Sequence, residues 1–219
     1  MTAKTKAKKV TEDLLFKMFM EHVLEHETYP KSVYKFCKLN SISEADFYGI
    51  FGSLETLQKE IWNKFFVSTH NLLLKNKEFD HFSNKEKMLT FFYTFFEMLT
   101  LNRSYVLFAL SQESNPLRNL EQLKGLRRQF KNFAKDLIDA SNNGKALKVL
   151  QHNPNVFSEG AWLQFLFLLK FWINDESAGF EKTDLAIEKS VNTIFDVFDN
   201  TPLVRIIDFG KFLYKESLI

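Results

Sequence analysis

The chain has 219 residues, a formal net charge of +2 and a single cysteine, Cys37. That length supports one substantial core, or a small headpiece on a larger helical body, and one cysteine excludes an internal disulfide. Near-neutral charge offers no bulk attraction for a polyanion, the absence of a hydrophobic leader implies a reduced cytosolic protein, and the longest strongly apolar run, Ala161 to Ile173, falls short of the about 20 residues that span a bilayer.

The chain opens with a basic arm, Lys4, Lys6, Lys8 and Lys9. Beyond it apolar residues recur at three- and four-residue spacing, and only seven glycines and four prolines punctuate the sequence, so an all-α fold is predicted. A first helix is expected from Thr11, as N-cap, to about His26, with Leu14, Leu15, Met18, Phe19, Val23 and Leu24 as its buried stripe. Tyr29-Pro30 ends it and places a proline in the first turn of a second helix. Ser43 followed by Asp46 resembles a capping box for a third, and Ser53 opens a long fourth helix reaching about Asn76. Further helices are predicted over 84–101, 104–115, 119–142, 158–174, 182–199 and 203–217, with breaks at Pro116, Gly144, Pro154, Gly179 and Pro202. The division expected is an arm and headpiece over 1–52 and a helical body over 53–219, joined by helix 53–76.

Within the headpiece, Ser32 to Leu57 reads SVYKFCKLNSISEADFYGIFGSLETL. Val33, Phe36 and Cys37 sit where a first motif helix packs inward, Ile42-Ser43 at the turn, and Phe47-Tyr48 with Phe51-Gly52-Ser53 beyond it. The stretch resembles, without a gap, the helix-turn-helix of TetR-type regulators, whose signature is Leu-Tyr-x-x-Phe-x-Ser-Lys-Glu-x-Leu. The resemblance implies a TetR-like fold: a three-helix DNA-binding headpiece and a larger C-terminal ligand-binding and dimerisation domain. It also implies that Ser32 and Tyr48 meet the DNA backbone, flanked by Lys31, Lys35 and Lys38.

The polar surface departs from that pattern. Glu44 and Asp46 open the recognition helix where basic or small residues are common, and Leu54 replaces the lysine that follows the signature serine. Glu44 or Asp46 can accept from a cytosine amine, or simply complement a positive helix N-terminus. Between Val10 and Gly52 stand four lysines (17, 31, 35, 38) against seven acids (12, 13, 21, 25, 27, 44, 46). Phosphate attraction, which scales with the cations engaged, must therefore come largely from Lys4, Lys6, Lys8 and Lys9 reaching a groove, unless that arm is only a solvated tail.

In the body, Phe91, Phe95, Met98, Phe108, Trp162 and Phe165 are candidates to line a pocket for a hydrophobic small molecule or lipid, though core packing uses the same residues. The 25 phenylalanines fit either an aromatic cavity or the bias of an AT-rich genome. Helix 158–174, apolar nearly all round, must be covered on most faces. By the TetR resemblance it forms a homodimer interface with the last long helix, through Phe167, Phe171, Ile187, Val191 and Phe195; burial within one chain is the alternative. Lys124, Arg127, Arg128, Lys131 and Lys135 share one helical face, read as a solvated stripe.

The run Phe171-Trp172-Ile173-Asn174-Asp175-Glu176-Ser177, with Phe180 and Lys182-Thr183-Asp184, is similar to a region of TetR-fold lipid-binding accessory proteins of ubiquinone biosynthesis. It also reads as a helix-ending turn and a fresh cap. No catalytic constellation or phosphate loop is present, so no enzyme activity and no cofactor are expected. His22 and His26 have i, i+4 spacing but no third ligand, so no metal is expected. Two functions lead: a cytoplasmic, homodimeric TetR-like transcriptional regulator with a hydrophobic effector, or a TetR-fold lipid- or isoprenoid-binding accessory protein that has lost DNA binding; a structural interaction module without ligand is less favoured.

Overall fold

The computed structural model describes residues 9–112, 119–143 and 153–200. Among them are nine α-helices and no strand: α1 (Glu12–His26), α2 (Val33–Leu39), α3 (Glu44–Tyr48), α4 (Leu54–Lys75), α5 (Asn84–Leu101), α6 (Arg103–Leu110), α7 (Lys124–Asn143), α8 (Pro154–Ile173) and α9 (Glu181–Asn200). Short 3-10 turns occupy Phe79–His81, Leu120–Leu123 and Ala178–Phe180. The fold is all-α, as the periodicity requires. Lys4, Lys6 and Lys8, the breaks at Pro116, Gly144 and Pro202, and the predicted helix 203–217 lie outside the described residues.

Side-chain caps fix most helix starts. Thr11 Oγ1 accepts from the Leu14 amide at 3.3 Å, Ser43 Oγ from Asp46 at 3.0 Å and Ser53 Oγ from Thr56 at 3.1 Å. At α5 the box is reciprocal: Ser83 Oγ accepts from the Glu86 amide while Glu86 Oε2 accepts from the Ser83 amide at 2.8 Å, which satisfies two otherwise unpaired donors. The hydroxyl and amide of Ser83, both donating to its carboxylate, hold Glu86 below the ordinary range.

Several details differ from expectation. The second helix starts after Ser32, whose hydroxyl caps Lys35, so Pro30 is a buried residue of the preceding loop and not part of a first turn. Pro154 is no break; it is the first residue of α8, where its missing N–H costs nothing, and Asn153 Oδ1 caps the Asn155 and Val156 amides. In α1 the buried stripe is Leu15, Phe16, Phe19 and Val23, with Leu24 turned outward.

Packing separates two compact units: Met1–Lys64 with Leu101–Gly125, and Phe65–Thr100 with Leu126–Ile219. The boundary between these packing units falls inside α4, and α6 lies in the first of them. In the first unit Phe19 is the hub, with the rings of Tyr29, Phe36 and Tyr105 at 5.8, 6.2 and 6.5 Å. Gln122 ties three segments together: it accepts from Trp62 Nε1 at 2.8 Å and donates to the carbonyls of Ala109 and Asn119 at 2.8 and 2.9 Å.

The second unit is built on a phenylalanine cluster. Phe91 lies 4.7 Å from Phe133 and 5.4 Å from Phe130, and Phe165 lies 5.7 Å from Phe95, 5.8 Å from Phe130 and 5.0 Å from Trp162. Trp172 Nε1 donates to Thr100 Oγ1 at 3.0 Å, satisfying a buried indole. Helix α8 is long and apolar enough to cross a membrane by length and composition, because it starts at Pro154 and not at the apolar run beginning with Ala161. Half of its most apolar stretch is buried in the chain, and its Glu159 receives Arg127 at 2.8 Å and Lys131. Burial alone would raise that carboxyl; the two cations outweigh it and lower it.

Candidate nucleic-acid interface

Helices α2 and α3 form a helix-turn-helix in the first unit. Phe36, Cys37, Phe47 and Phe51 are buried, with Phe36–Phe47 rings at 6.0 Å and Phe51 against Phe16 at 5.4 Å. Between the helices, Asn40 Nδ2 donates to the Phe36 carbonyl at 2.9 Å and Ser41 adopts φ +54°. A left-handed residue is needed to reverse the chain so tightly, and the Asn-Ser pair is the sequence signal for it.

This apolar skeleton leaves the polar candidates outside. Lys9, Lys31, Ser32, Lys35, Glu44 and Asp46 are exposed, and Tyr48 is 54% exposed despite its edge contact with Phe47. Ser32 Oγ accepts the Lys35 amide at 3.2 Å, which leaves its O–H as a donor for a phosphate. Asp46 is occupied locally: its Oδ2 accepts from Ser43 Oγ at 2.6 Å. Among the described residues Glu44 makes no such side-chain bond and is exposed. The field of both acids is felt inside, since Cys37 is pushed up first by burial and then by Glu44 and Asp46. A further exposed aromatic stands outside the set expected from sequence. Tyr34, on α2, carries Lys38 Nζ 5.9 Å above its ring, an i, i+4 pair visible in the sequence.

The other candidates are distributed as follows. Phe91, Phe95, Trp162 and Phe165 are buried and in ring contact, and Met98 is half-buried on the same helix as Phe91. Phe108 belongs to the first unit, edge-on to Tyr29 at 5.2 Å. The other five lie in the second unit. Ile187 and Val191 are 0% exposed and Phe195 meets Phe157 at 5.5 Å, so these three serve the chain's own core. Phe167 is 57% exposed, one turn beyond Leu163 and one before half-buried Phe171. In the basic stripe, Lys124 pairs with Glu121 and both Arg127 and Lys131 with Glu159. His22 and His26 meet edge-on at 4.4 Å, and no group of three metal-ligating residues occurs among the described residues.

Asp175, in the run between α8 and α9, is buried and accepts four bonds. Ser177 N and Oγ reach Oδ1 at 2.9 and 2.6 Å, and Thr183 N and Oγ1 reach Oδ2 at 2.8 and 2.6 Å. The residues that carried the likeness to lipid-binding accessory proteins are thus joined to one another as a turn and cap. A groove of about 440 Å³ lies beside them, lined by Phe167, Lys170, Phe171 and Lys182 among others.

Residues 87–213, more than half of the chain, match the family model described as a tetracyclin repressor-like, C-terminal domain. No curated protein matches the chain.

Proposed function

The chain belongs to the tetracyclin repressor-like (TetR) family, and from that premise we propose that it is a TetR-like transcriptional regulator acting in the cytoplasm, with a regulatory and not a catalytic role. The observation that carries this reading is the helix-turn-helix itself: a buried four-residue skeleton, with Ser32, Lys31, Lys35 and Tyr48 all held at the surface. Lysines and hydroxyls place a duplex by its phosphates, while the start of α3 meets base edges. Because Glu44 repels phosphate, Lys4, Lys6, Lys8 and Lys9 supply the missing attraction in this reading. Operator binding should therefore weaken steeply with salt. Replacing Tyr48 with alanine and deleting 4–9 is expected to weaken binding to a selected operator at least about tenfold, and to reduce the salt slope by about one for each lysine that no longer meets a phosphate. Fluorescence anisotropy across a salt series reads both, and an unchanged affinity and slope would end the operator reading.

A homodimer is part of the proposal. Leu163 and Phe167, 66% and 57% exposed, continue with Phe171 as an apolar stripe of the kind that protein interfaces cover. Phe167→Glu is expected to raise the dimer dissociation constant at least about tenfold, since it sets a charge in an apolar seam; sedimentation at several concentrations measures it, and an unaltered equilibrium would move the interface elsewhere. A hydrophobic effector in the C-terminal domain is the finer expectation, and it would have to part the ring cluster to enter. The alternative, a lipid-binding accessory protein, draws support now only from the groove beside Phe167 and Lys170, since Asp175, Ser177 and Thr183 are engaged with each other.

A further inference from the structure

The headpiece contains a depression of about 330 Å³, lined by residues of α1, the α1–α2 loop and α2. That volume is at the lower end of small-molecule sites. Its walls are apolar: Tyr29, Pro30, Phe36 and Leu39. Its rim carries Lys31 and Lys35, which have no carboxylate partner among the described residues. His22 also lines it, and its Nδ1 is buried without a hydrogen-bond partner among the described residues. A buried donor or acceptor left unmatched costs about 1–3 kcal/mol, so such an atom marks a place where another polar group is wanted. Burial first, and then His26, lowers His22, with Glu25 opposing, so the charged form of this ring is disfavoured.

Apolar walls under two unpaired cations select an anion with an apolar body. A carboxylate suits them better than a phosphate dianion, because its single charge is less costly to bring against Pro30 and Leu39. We propose that this depression binds a small carboxylate with an apolar body. Lys31 and Lys35 hold the carboxylate, and Tyr29, Pro30, Phe36 and Leu39 enclose the remainder. The site lies within the first unit and does not depend on the operator reading. Where that reading holds, the ligand and DNA phosphates compete for the same two lysines.

The test is a titration of the full-length protein with naphthoate, with naphthalenemethanol as the uncharged counterpart, followed by calorimetry and by the imidazole proton resonances. Naphthoate is expected to saturate and to shift the His22 and His26 signals while leaving His70 and His81 in place. It should bind at least about tenfold more tightly than the alcohol, the range of a charge-assisted contact. Lys31→Gln with Lys35→Gln should remove that preference without altering the helical circular dichroism, and Thr28→Trp, at the edge of the depression, should block both compounds. Absence of saturable binding, equal affinity for the two compounds, shifts confined to His70 or His81, or a preference that survives the double substitution would each overturn the proposal.

Discussion

Asp175→Ala is expected to lower stability by about 3 kcal/mol, because it removes the buried carboxylate that accepts four bonds and leaves the Ser177 and Thr183 donors unmatched. In a chain of this size that corresponds to a fall of roughly 6–12 °C in the melting temperature. The effect has a pH signature. Burial would raise the Asp175 carboxyl, but the hydroxyl and amide bonds from Ser177 and Thr183 overcome it and hold the group well below the ordinary range. A depressed folded value means that the contribution is complete above the unfolded value of about 3.9, and is lost as pH falls through the folded value. The gap between wild type and Asp175→Ala should therefore be constant near neutrality and narrow as the solution is acidified below about pH 4. Thermal melts across that range measure it; a gap that does not change with pH would show that the carboxylate charge is not what secures the turn.

Phe130→Ala is expected to cost about 4 kcal/mol, within the range for removing a buried phenylalanine and leaving a cavity. Its ring meets Phe91, Phe92, Phe133, Trp162 and Phe165 at 5.4 to 6.5 Å, so little can collapse into the gap without disturbing five other rings. An apolar cavity of that kind stays dry and accepts a small hydrocarbon, and benzene should restore part of the stability in the variant while leaving the wild type unaffected. Leu101→Ala, at a residue 76% exposed, serves as the surface control, with an effect within about 0.5 kcal/mol. Denaturant unfolding compares them. A loss below about 1 kcal/mol for Phe130→Ala would mean that the cluster is loosely filled, and would return it to consideration as an effector pocket.

These two sites differ in how far local sequence specifies them. The turn around Asp175 is legible in the sequence, since Asn, Asp and Ser after a long apolar run are local cap chemistry and act over a few residues. The same holds for Thr11, Ser43, Ser53 and the span of α5. Pro154 reads as a break from sequence because a proline terminates a helix from within, yet it is welcome at the first position, and the choice rests on whether Asn153 is free to cap. The placement of Phe91, Phe95, Trp162 and Phe165 is ambiguous for a different reason. Helical spacing says that a face is apolar, not whether rings or a ligand cover it.

The dimer candidates show the same limit on one pair of helices. Periodicity marks Phe167 and Ile187 alike as apolar, yet Ile187 is fully buried in the chain and Phe167 is largely exposed. The sequence by itself determined the all-α class, the caps at Thr11, Ser43 and Ser53 and the helix-turn-helix skeleton, because each depends on side chains within a few turns of one another. Only the tertiary structure decided that α6 joins the first unit, that Phe91, Phe95, Trp162 and Phe165 meet ring to ring, and that Tyr29, Pro30 and Leu39 line a depression together with Lys31 and Lys35. Those outcomes depend on which elements meet across tens of residues, and a hydrophobic pattern, being non-directional, favours burial without naming the partner.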